Sequence, residues 1–196
     1  MRVLVVHAHP GAESFSAAVL RAAVGGLQAV GHDVDVVDLY ASGFQAAMTR
    51  PEREAYLTDQ PIVSADVAHH AELVKEAEAL VFVYPTWWAG LPAIMKGWLD
   101  RVLVQGVAFQ LDPVTSRVKP RLGHVRRIVG ITTYGSSPWY VHLVGDGGRR
   151  TLARTLRLVC RRRSRPMWLA LYRMDTASEA DRRSFLLSVR RRMARL

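Results

Sequence analysis

The chain of 196 residues is 49% hydrophobic and 22% charged, a composition that predicts one soluble globular domain over residues 1–196. No apolar run approaches the roughly 20 residues of a membrane-spanning helix, the N-terminus has no signal-peptide pattern, and the single cysteine, Cys160, excludes a disulfide framework and indicates the cytoplasm. Residues 149–196 carry 15 Arg and 3 acidic residues, which supply the whole formal net charge of +10.

Five strand-like runs alternate with helix-like stretches, the pattern of a parallel sheet covered by helices on both faces. The predicted strands span residues 2–7, 33–38, 79–84, 125–132 and 167–173. The predicted helices span residues 14–30, 65–78, 92–104, 149–160 and 178–195, with irregular loops at 39–61, 106–123 and 133–148. This α/β alternation favours a flavodoxin-like, doubly wound sandwich with a five-stranded parallel sheet in the order 2-1-3-4-5. In that fold, ligands bind at the switch point between strands 1 and 3.

The loop after the first strand leads directly into a helix. Gly11 permits an unusual backbone turn, and Ser14 and Ser16 bring hydroxyls and amides to the start of the helix. Free N–H groups at a helix N-terminus bind phosphate, although the same residues equally predict simple helix capping. The loop has neither a GxGxxG fingerprint nor a Walker motif, so Rossmann-style dinucleotide binding and ATP binding are not predicted. His7, on the strand itself, is interpreted as a buried structural residue.

The loop after the third strand contains two adjacent tryptophans, Trp87 and Trp88, before a helix that is predicted to begin at Pro92. Large aromatic faces suit stacking against a planar ligand, and this loop lies at the carboxyl end of a predicted strand, where ligands bind in α/β sheets. The sequence therefore predicts a cofactor site here.

The loop after the fourth strand is rich in small hydroxyl residues and glycine. Thr133 and Gly135 let backbone amides approach a polar ring edge, and Tyr140 adds a donor for developing negative charge. The alternative is an ordinary Ser/Gly turn followed by two exposed aromatic residues.

Several of these motifs together resemble the NAD(P)H:quinone oxidoreductase family of flavodoxin-like flavoproteins. That family includes bacterial modulators of drug activity and ancillary subunits of potassium-efflux systems. The matching segments keep the family's order and spacing across residues 2–140, and they are residues 7–10, 14–16, 84–88, 91–101, 106–109 and 132–133.

The resemblance implies a flavin enzyme that reduces quinones, or similar flat acceptors, by ping-pong hydride transfer from NAD(P)H. The expected cofactor is FAD, with FMN as the alternative. The residues implied to bind it are His9, Ser14, Phe15, Ser16, Pro85, Thr86, Trp87, Trp88, Thr132, Thr133 and Gly135. Thr86 and Trp88 would offer backbone N–H groups to the flavin ring.

The resemblance also implies an acceptor pocket and a homodimer. The pocket residues would be Trp88, Phe109, Leu111, Tyr134 and Tyr140. Tyr140 would be the catalytic donor that stabilises the reduced flavin, and Phe109 and Leu111 of one chain would cap the pocket of the other. Tyr134 stands where the family commonly has glycine, so its bulk is expected to narrow the pocket.

Two functions of other classes remain open. The protein could be an ancillary, regulatory subunit of a membrane transporter, with the basic C-terminal helix as its contact surface. It could also be a flavin-less binding module that uses the Arg-rich end. Nucleic acid is not the expected partner, because no aromatic residues interleave with Arg161–Arg163 or Arg190–Arg192. No metal site is expected, since His69 and His70 lack carboxylate or cysteine partners.

Overall fold

A sheet of five parallel strands forms the centre of the computed structural model, which describes residues 1–62, 64–160 and 164–196. Its strands are β1 (Arg2–His7), β2 (Asp33–Asp38), β3 (Ala79–Pro85), β6 (Arg127–Thr133) and β7 (Arg165–Leu171). A separate antiparallel ribbon consists of β4 (Phe109–Leu111) and β5 (Val118–Pro120). The order β2-β1-β3-β6-β7 confirms the predicted order 2-1-3-4-5 and the flavodoxin-like class.

Helices connect the parallel strands and cover both faces of the sheet. They are α1 (Phe15–Gln28), α2 (Arg50–Ala55), α3 (Ala65–Glu76), α4 (Ala93–Val102), α5 (Pro138–Val144), α6 (Gly147–Arg150), α7 (Leu156–Val159) and α8 (Glu179–Met193). A π-helical segment, Thr151–Thr155, joins α6 to α7, and a 3-10 turn, Met174–Thr176, precedes α8. No helix within the described ranges is long and apolar enough to cross a membrane.

The sheet separates two hydrophobic cores because side chains alternate along each strand. Leu4 and Phe82 belong to the core beneath α3 and α4, whereas Val5 and Val83 belong to the core beneath α1 and α8. Helix α1 packs closely on α8 at Gly26, where an added Cβ would lie 2.4 Å from the carbonyl oxygen of Arg190. Both faces of the central strands are therefore covered, as their nearly continuous apolar sequences predict.

The largest differences from the predicted elements lie in the segments taken as loops. Residues 39–61 contain α2, residues 106–123 contain the β4–β5 ribbon, and residues 133–148 contain α5. Pro92 is the N-cap of α4 and not its first residue, and the helix predicted over 149–160 begins at Gly147 and includes a π-helical segment. Helix α8 begins with a capping box, in which Ser178 and Asp181 are bonded reciprocally. The arginine run 161–163 lies outside the described residues.

A buried ion pair holds the long connection after β2 against the core. Arg101, on α4, donates from Nε and Nη2 to Glu52 Oε1 at 2.9 and 2.5 Å, and from Nη1 to the carbonyl oxygen of Gln45 at 2.5 Å. Both charged side chains are 5% exposed. Burial alone would raise the pKa of Glu52, but its hydrogen bonds with Arg101 and Thr49 hold that pKa below its ordinary value.

Candidate functional site

Three loops at the carboxyl ends of β1, β3 and β6 enclose a cleft of about 690 Å³ at the switch point of the sheet. Its lining residues are His9, Phe15, Ser16, Pro85, Thr86, Trp87, Trp88, Thr133, Gly135, Met174 and Asp175. Nine of these were implied by the family resemblance. Met174 and Asp175 were not, because they come from the turn after β7, whose sequence has no recognisable ligand-binding pattern.

The β1 loop presents hydrogen-bond donors to one end of the cleft. The N–H of Gly11 lies 2.9 Å from His9 Nδ1, and the carbonyl oxygen of Gly11 lies 3.2 Å from the same nitrogen, so the His9 ring is held against the Gly11 backbone. Ser14 caps α1, since its Oγ accepts from the N–H of Ala17 at 3.1 Å. The N–H groups of the first helical residues, Phe15 and Ser16, have no helix carbonyl to accept them. These donors, aided by the positive end of the helix dipole, suit an anion.

Behind this helix end lies a chain of polar side chains, partly exposed at Asp38, that joins β2, β1 and α1. His7 is 1% exposed, as expected for a structural residue, yet both ring nitrogens have polar partners. Nδ1 lies 2.9 Å from Asp38 Oδ2, and Nε2 lies 3.2 Å from Ser16 Oγ. The position of Asp38 follows from strand register, because β1 and β2 pair His7 with Asp38. Single-strand periodicity identified His7 as buried but could not identify these partners.

The tryptophan loop after β3 has an unusual backbone. Trp87 and Gly90 exchange two main-chain hydrogen bonds, and between them Trp88 and Ala89 have φ of +48° and +53°. Non-glycine residues rarely adopt this left-handed conformation, and it is found often at ligand sites. The turn leaves the side chain of Trp88 fully exposed and that of Trp87 41% exposed. A large apolar face is thus held in water at the rim of the cleft.

The backbone N–H of Thr86 is not available to a ligand, contrary to the expectation. It donates to the carbonyl oxygen of Thr133 at 2.9 Å, while the hydroxyls of Thr86 and Thr132 lie 2.8 Å apart. Thr132 is 1% exposed and does not line the cleft. These bonds join the second and third loops into one wall, so Thr132 supports the site from beneath it.

Gly135 leaves space that a side chain would fill. An added Cβ would lie 2.5 Å from Asp175 Oδ2, so any side chain at position 135 would require the Asp175 carboxylate to move. The same loop is held by main-chain bonds from Tyr134 N–H to Leu171 and from Met174 N–H to Tyr134. Gly135 and Asp175 consequently form a continuous part of the cleft wall.

Tyr134 lies away from the cleft, which corrects the expectation that it narrows the acceptor pocket. Its side chain is 3% exposed and stacks on Tyr172 with ring centroids 4.9 Å apart. Its hydroxyl donates to Asp146 and accepts from Trp168 Nε1 at 3.2 Å. Burial, and then the hydrogen bond to Asp146, raise the pKa of Tyr134 well above its ordinary value. Tyr134 is therefore a packing residue in this chain.

Three other predicted pocket residues do not line the cleft of the single chain. Tyr140 lies on α5, 47% exposed, with its ring 5.8 Å from that of Trp139. Phe109 and Leu111 lie on the β4–β5 ribbon and are partly buried. Ser14 also lies outside the lining, where it caps α1.

Burial raises the pKa of the Cys160 thiol to about 12. Residues 1–62, 64–160 and 164–196 contain no group of three potential metal ligands.

Comparisons with known proteins agree with this architecture. The family described as having a flavodoxin-like fold matches residues 1–162. Ribosyldihydronicotinamide dehydrogenase (quinone) of Pongo abelii is 36% identical over 168 residues, which cover 76% of this chain and 70% of that protein. The solved NAD(P)H:quinone oxidoreductase from Methanothermobacter marburgensis has a TM-score of 0.78 at 25% identity, covering 99% of this chain and 94% of that one.

A third protein shows the shared fold alone. The FMN-dependent NADH-azoreductase from Bacillus anthracis, solved with FMN, has a TM-score of 0.77 at 14% identity, covering 100% of this chain and 99% of that one. With the matched family spanning most of the sequence, and a curated quinone dehydrogenase more than one third identical, the chain belongs to the flavodoxin-like family of NAD(P)H:quinone oxidoreductases.

Proposed function

We propose that this protein is a flavin-dependent oxidoreductase that passes a hydride from NAD(P)H to a quinone. The observation that carries the proposal is the cleft at the switch point, which combines an anion-binding helix end with exposed tryptophan faces. The names of the relatives support the same activity.

The residues present fit a flavin. At one end of the cleft, the first-turn amides of α1 suit phosphate. Next to them, Trp87 and Trp88 offer flat apolar surfaces for an aromatic ring. Gly135, without a side chain, permits close contact of a ring edge with the backbone. The cleft volume of about 690 Å³ is that of a typical cofactor site.

Each part of the chain has a separate task in this activity. The start of α1 would hold the phosphate, and His9 lines the same cleft. Trp87 and Trp88 exclude water from one side of the ring, and Pro85 contributes to the same wall. The bound flavin would supply the two-electron hydride chemistry, which no amino-acid side chain provides. The protein therefore binds the flavin, orients it and shields it from water.

We further propose that FAD is the physiological cofactor, because the tryptophan-loop and α4 sequence most resembles the FAD-using members of the family. The experiment is to add FAD or FMN to the purified protein, remove the excess, and record the visible spectrum. A retained flavin band that bleaches anaerobically with NADH or NADPH and returns with a quinone is the expected result. Failure to retain either flavin contradicts the proposal.

A homodimer is proposed as the functional unit. Trp139, Tyr140, Leu143 and Val144 are between 47% and 72% exposed on α5, and Gly147, three residues after α5 ends, donates its N–H to the carbonyl oxygen of Ala89 in the tryptophan loop. Such a concentration of exposed apolar residues marks an interaction surface, and a second copy would bring Phe109 and Leu111 toward the cleft.

Sedimentation equilibrium tests the dimer directly. The expected result is a dimer that Leu143→Asp dissociates, with Leu158→Asp as a control at a similarly exposed leucine on α7 (72% and 74% exposed). A monomer at all concentrations, or equal effects of both substitutions, contradicts this interface.

A further inference from the structure

A chain of three polar side chains, Asp38–His7–Ser16, leads from the end of β2 to the wall of the cleft; His7 and Ser16 are buried, and the Asp38 side chain is 31% exposed. Asp38 Oδ2 contacts His7 Nδ1 at 2.9 Å, and His7 Nε2 contacts Ser16 Oγ at 3.2 Å. The other carboxylate oxygen of Asp38 accepts the N–H groups of Tyr40 and Ala41 at 3.1 and 3.0 Å, which fixes the orientation of the carboxylate. Ser16 is 7% exposed, and the cleft is the space it faces.

The hydrogen-bond inventory of these three groups determines where their protons lie. An ionised carboxylate only accepts, so His7 Nδ1 must carry a proton and donate it to Asp38. In the neutral ring, Nε2 then has only a lone pair, and the Ser16 hydroxyl must donate to it. The hydroxyl has one proton, so in this state its oxygen presents only lone pairs to the cleft.

This arrangement is unfavourable for a phosphate, whose oxygens are also acceptors. Ser16 can donate to a phosphate only if its hydroxyl proton is released from His7. A second proton on the His7 ring allows that rotation, because Nε2–H then donates to Ser16 Oγ. Lone pairs would otherwise face each other between Nε2 and Oγ in a buried site, where unpaired polar groups are destabilising.

We propose that His7 is a proton-coupled positioning residue, so that binding of the flavin phosphate groups is accompanied by uptake of one proton from solvent onto His7 Nε2. The Ser16 hydroxyl transmits the change: it rotates from donating to His7 to donating to a phosphate oxygen. No covalent bond between heavy atoms forms or breaks, and the added proton is the only net change. This inference rests on the proposed flavin binding.

The neighbours of His7 leave the ring with no other described polar partner. β2 faces it with Asp38, α1 with Ser16, and β3 with the apolar Val83. Among the residues that line the cleft, His9 and Asp175 also titrate. His9 is the group whose protonation must be separated from that of His7.

Calorimetric titration of the apo-protein with FAD at pH 8, in buffers of equal pH but different ionisation enthalpies, counts the protons exchanged. The pyrophosphate diester of FAD has no proton to gain at this pH. We expect uptake of about one proton per FAD. Over the pH range in which that proton is taken up, the affinity should fall by about tenfold per pH unit.

Five comparisons separate His7 from other sources of protons. Ser16→Ala and His7→Gln should bind FAD with no proton uptake and with a pH-independent affinity. Ser14→Ala, which removes a hydroxyl from the same turn without touching His7, and His9→Asn should both retain the uptake. Riboflavin, which lacks phosphate, should bind the wild-type protein without it.

The outcomes distinguish the two proposals. Heat of FAD binding that is independent of the buffer, or proton uptake that persists in Ser16→Ala, overturns the role of His7 while flavin binding stands. If His7→Gln does not fold, Ser16→Ala alone decides. No binding heat with any flavin overturns flavin binding and this inference together.

Discussion

The backbone N–H of Thr86 donates to the carbonyl oxygen of Thr133 across a distance of 2.9 Å, and this bond joins the tryptophan loop to the loop after β6. The cleft wall therefore behaves as one body and not as two independent loops. The hydroxyl contact between Thr86 and Thr132 at 2.8 Å adds a second connection. A site supported in this way keeps its shape before a ligand binds.

Because Trp88 is fully exposed, its substitution is expected to weaken flavin binding without lowering the stability of the protein. Trp88→Gly relieves a left-handed backbone conformation, φ +48°, and removes no buried contact, so the free energy of unfolding should stay equal or rise by about 1 kcal/mol. Loss of the stacking face should weaken flavin binding by about tenfold or more. Urea unfolding and flavin titration measure the two effects.

Ser116→Gly is the matched control, because Ser116 has φ of +53° outside the cleft. It should give a similar change in stability and leave flavin affinity unaltered. An unchanged affinity in Trp88→Gly would exclude Trp88 from the flavin site.

Adjacent glycines in α1 predict opposite effects of the same substitution. Gly26→Ala places a Cβ 2.4 Å from the Arg190 carbonyl oxygen and should destabilise the protein by about 1–3 kcal/mol. Gly25 has no atom within 4 Å of its added Cβ, so Gly25→Ala should stabilise it by up to about 1 kcal/mol through helix propensity. Thermal unfolding of the two variants checks the packing of α1 on α8, and destabilisation of equal size in both would contradict it.

The Glu52–Arg101 pair predicts a loss of stability in acid. The folded-state pKa of Glu52 is lowered, so its stabilising contribution is complete above the unfolded-state value and is lost as the pH falls through the folded-state value. Glu52→Ala leaves the buried Arg101 with only the longer ion pair to Asp66, at 3.6 Å, and should lower the free energy of unfolding at pH 7 by about 3 kcal/mol. Urea unfolding across pH 3–7 measures both effects.

The exposed pair Arg50–Glu54 on the neighbouring α2 is the control. Glu54→Ala should change stability by less than about 0.5 kcal/mol. Similar losses from both substitutions would show that burial of the Glu52 pair contributes nothing.

Because Tyr134 lies away from the cleft, its substitution is expected to change the stability of the protein and not its affinity for flavin. Tyr134→Phe removes the hydroxyl that bonds Asp146 and Trp168 and should destabilise by about 1–2 kcal/mol, while flavin affinity stays the same. Because the folded-state pKa of Tyr134 is raised, the protonated side chain contributes its full stabilisation below the tyrosine pKa of the unfolded state. This contribution is lost as the pH rises from that value through the folded-state pKa. The wild type should therefore lose stability at alkaline pH more steeply than the variant, and a flavin affinity that falls in Tyr134→Phe would return this residue to the pocket.

Local patterns in the sequence predicted most of the fold. The apolar strands, the helix that Ser14 caps and the capping box at Ser178 depend on neighbours within a few residues, and the alternation of strands and helices restricts the sheet order. The tryptophan loop was identifiable for the same reason, because two adjacent tryptophans after a buried strand form a local signal.

Only the tertiary structure decided which polar groups meet. The sequence does not show that His7 lies between Asp38 and Ser16, because that contact needs the register of β1 on β2 and the packing of α1. It does not show that Arg101 reaches Glu52 across 49 residues, or that Tyr134 turns toward Tyr172. The direction of a side chain at a loop, and the partner of a buried charge, depend on segments far apart in the chain. The positions of these groups are determined by packing between distant segments, which the periodicity of residues along the chain does not predict.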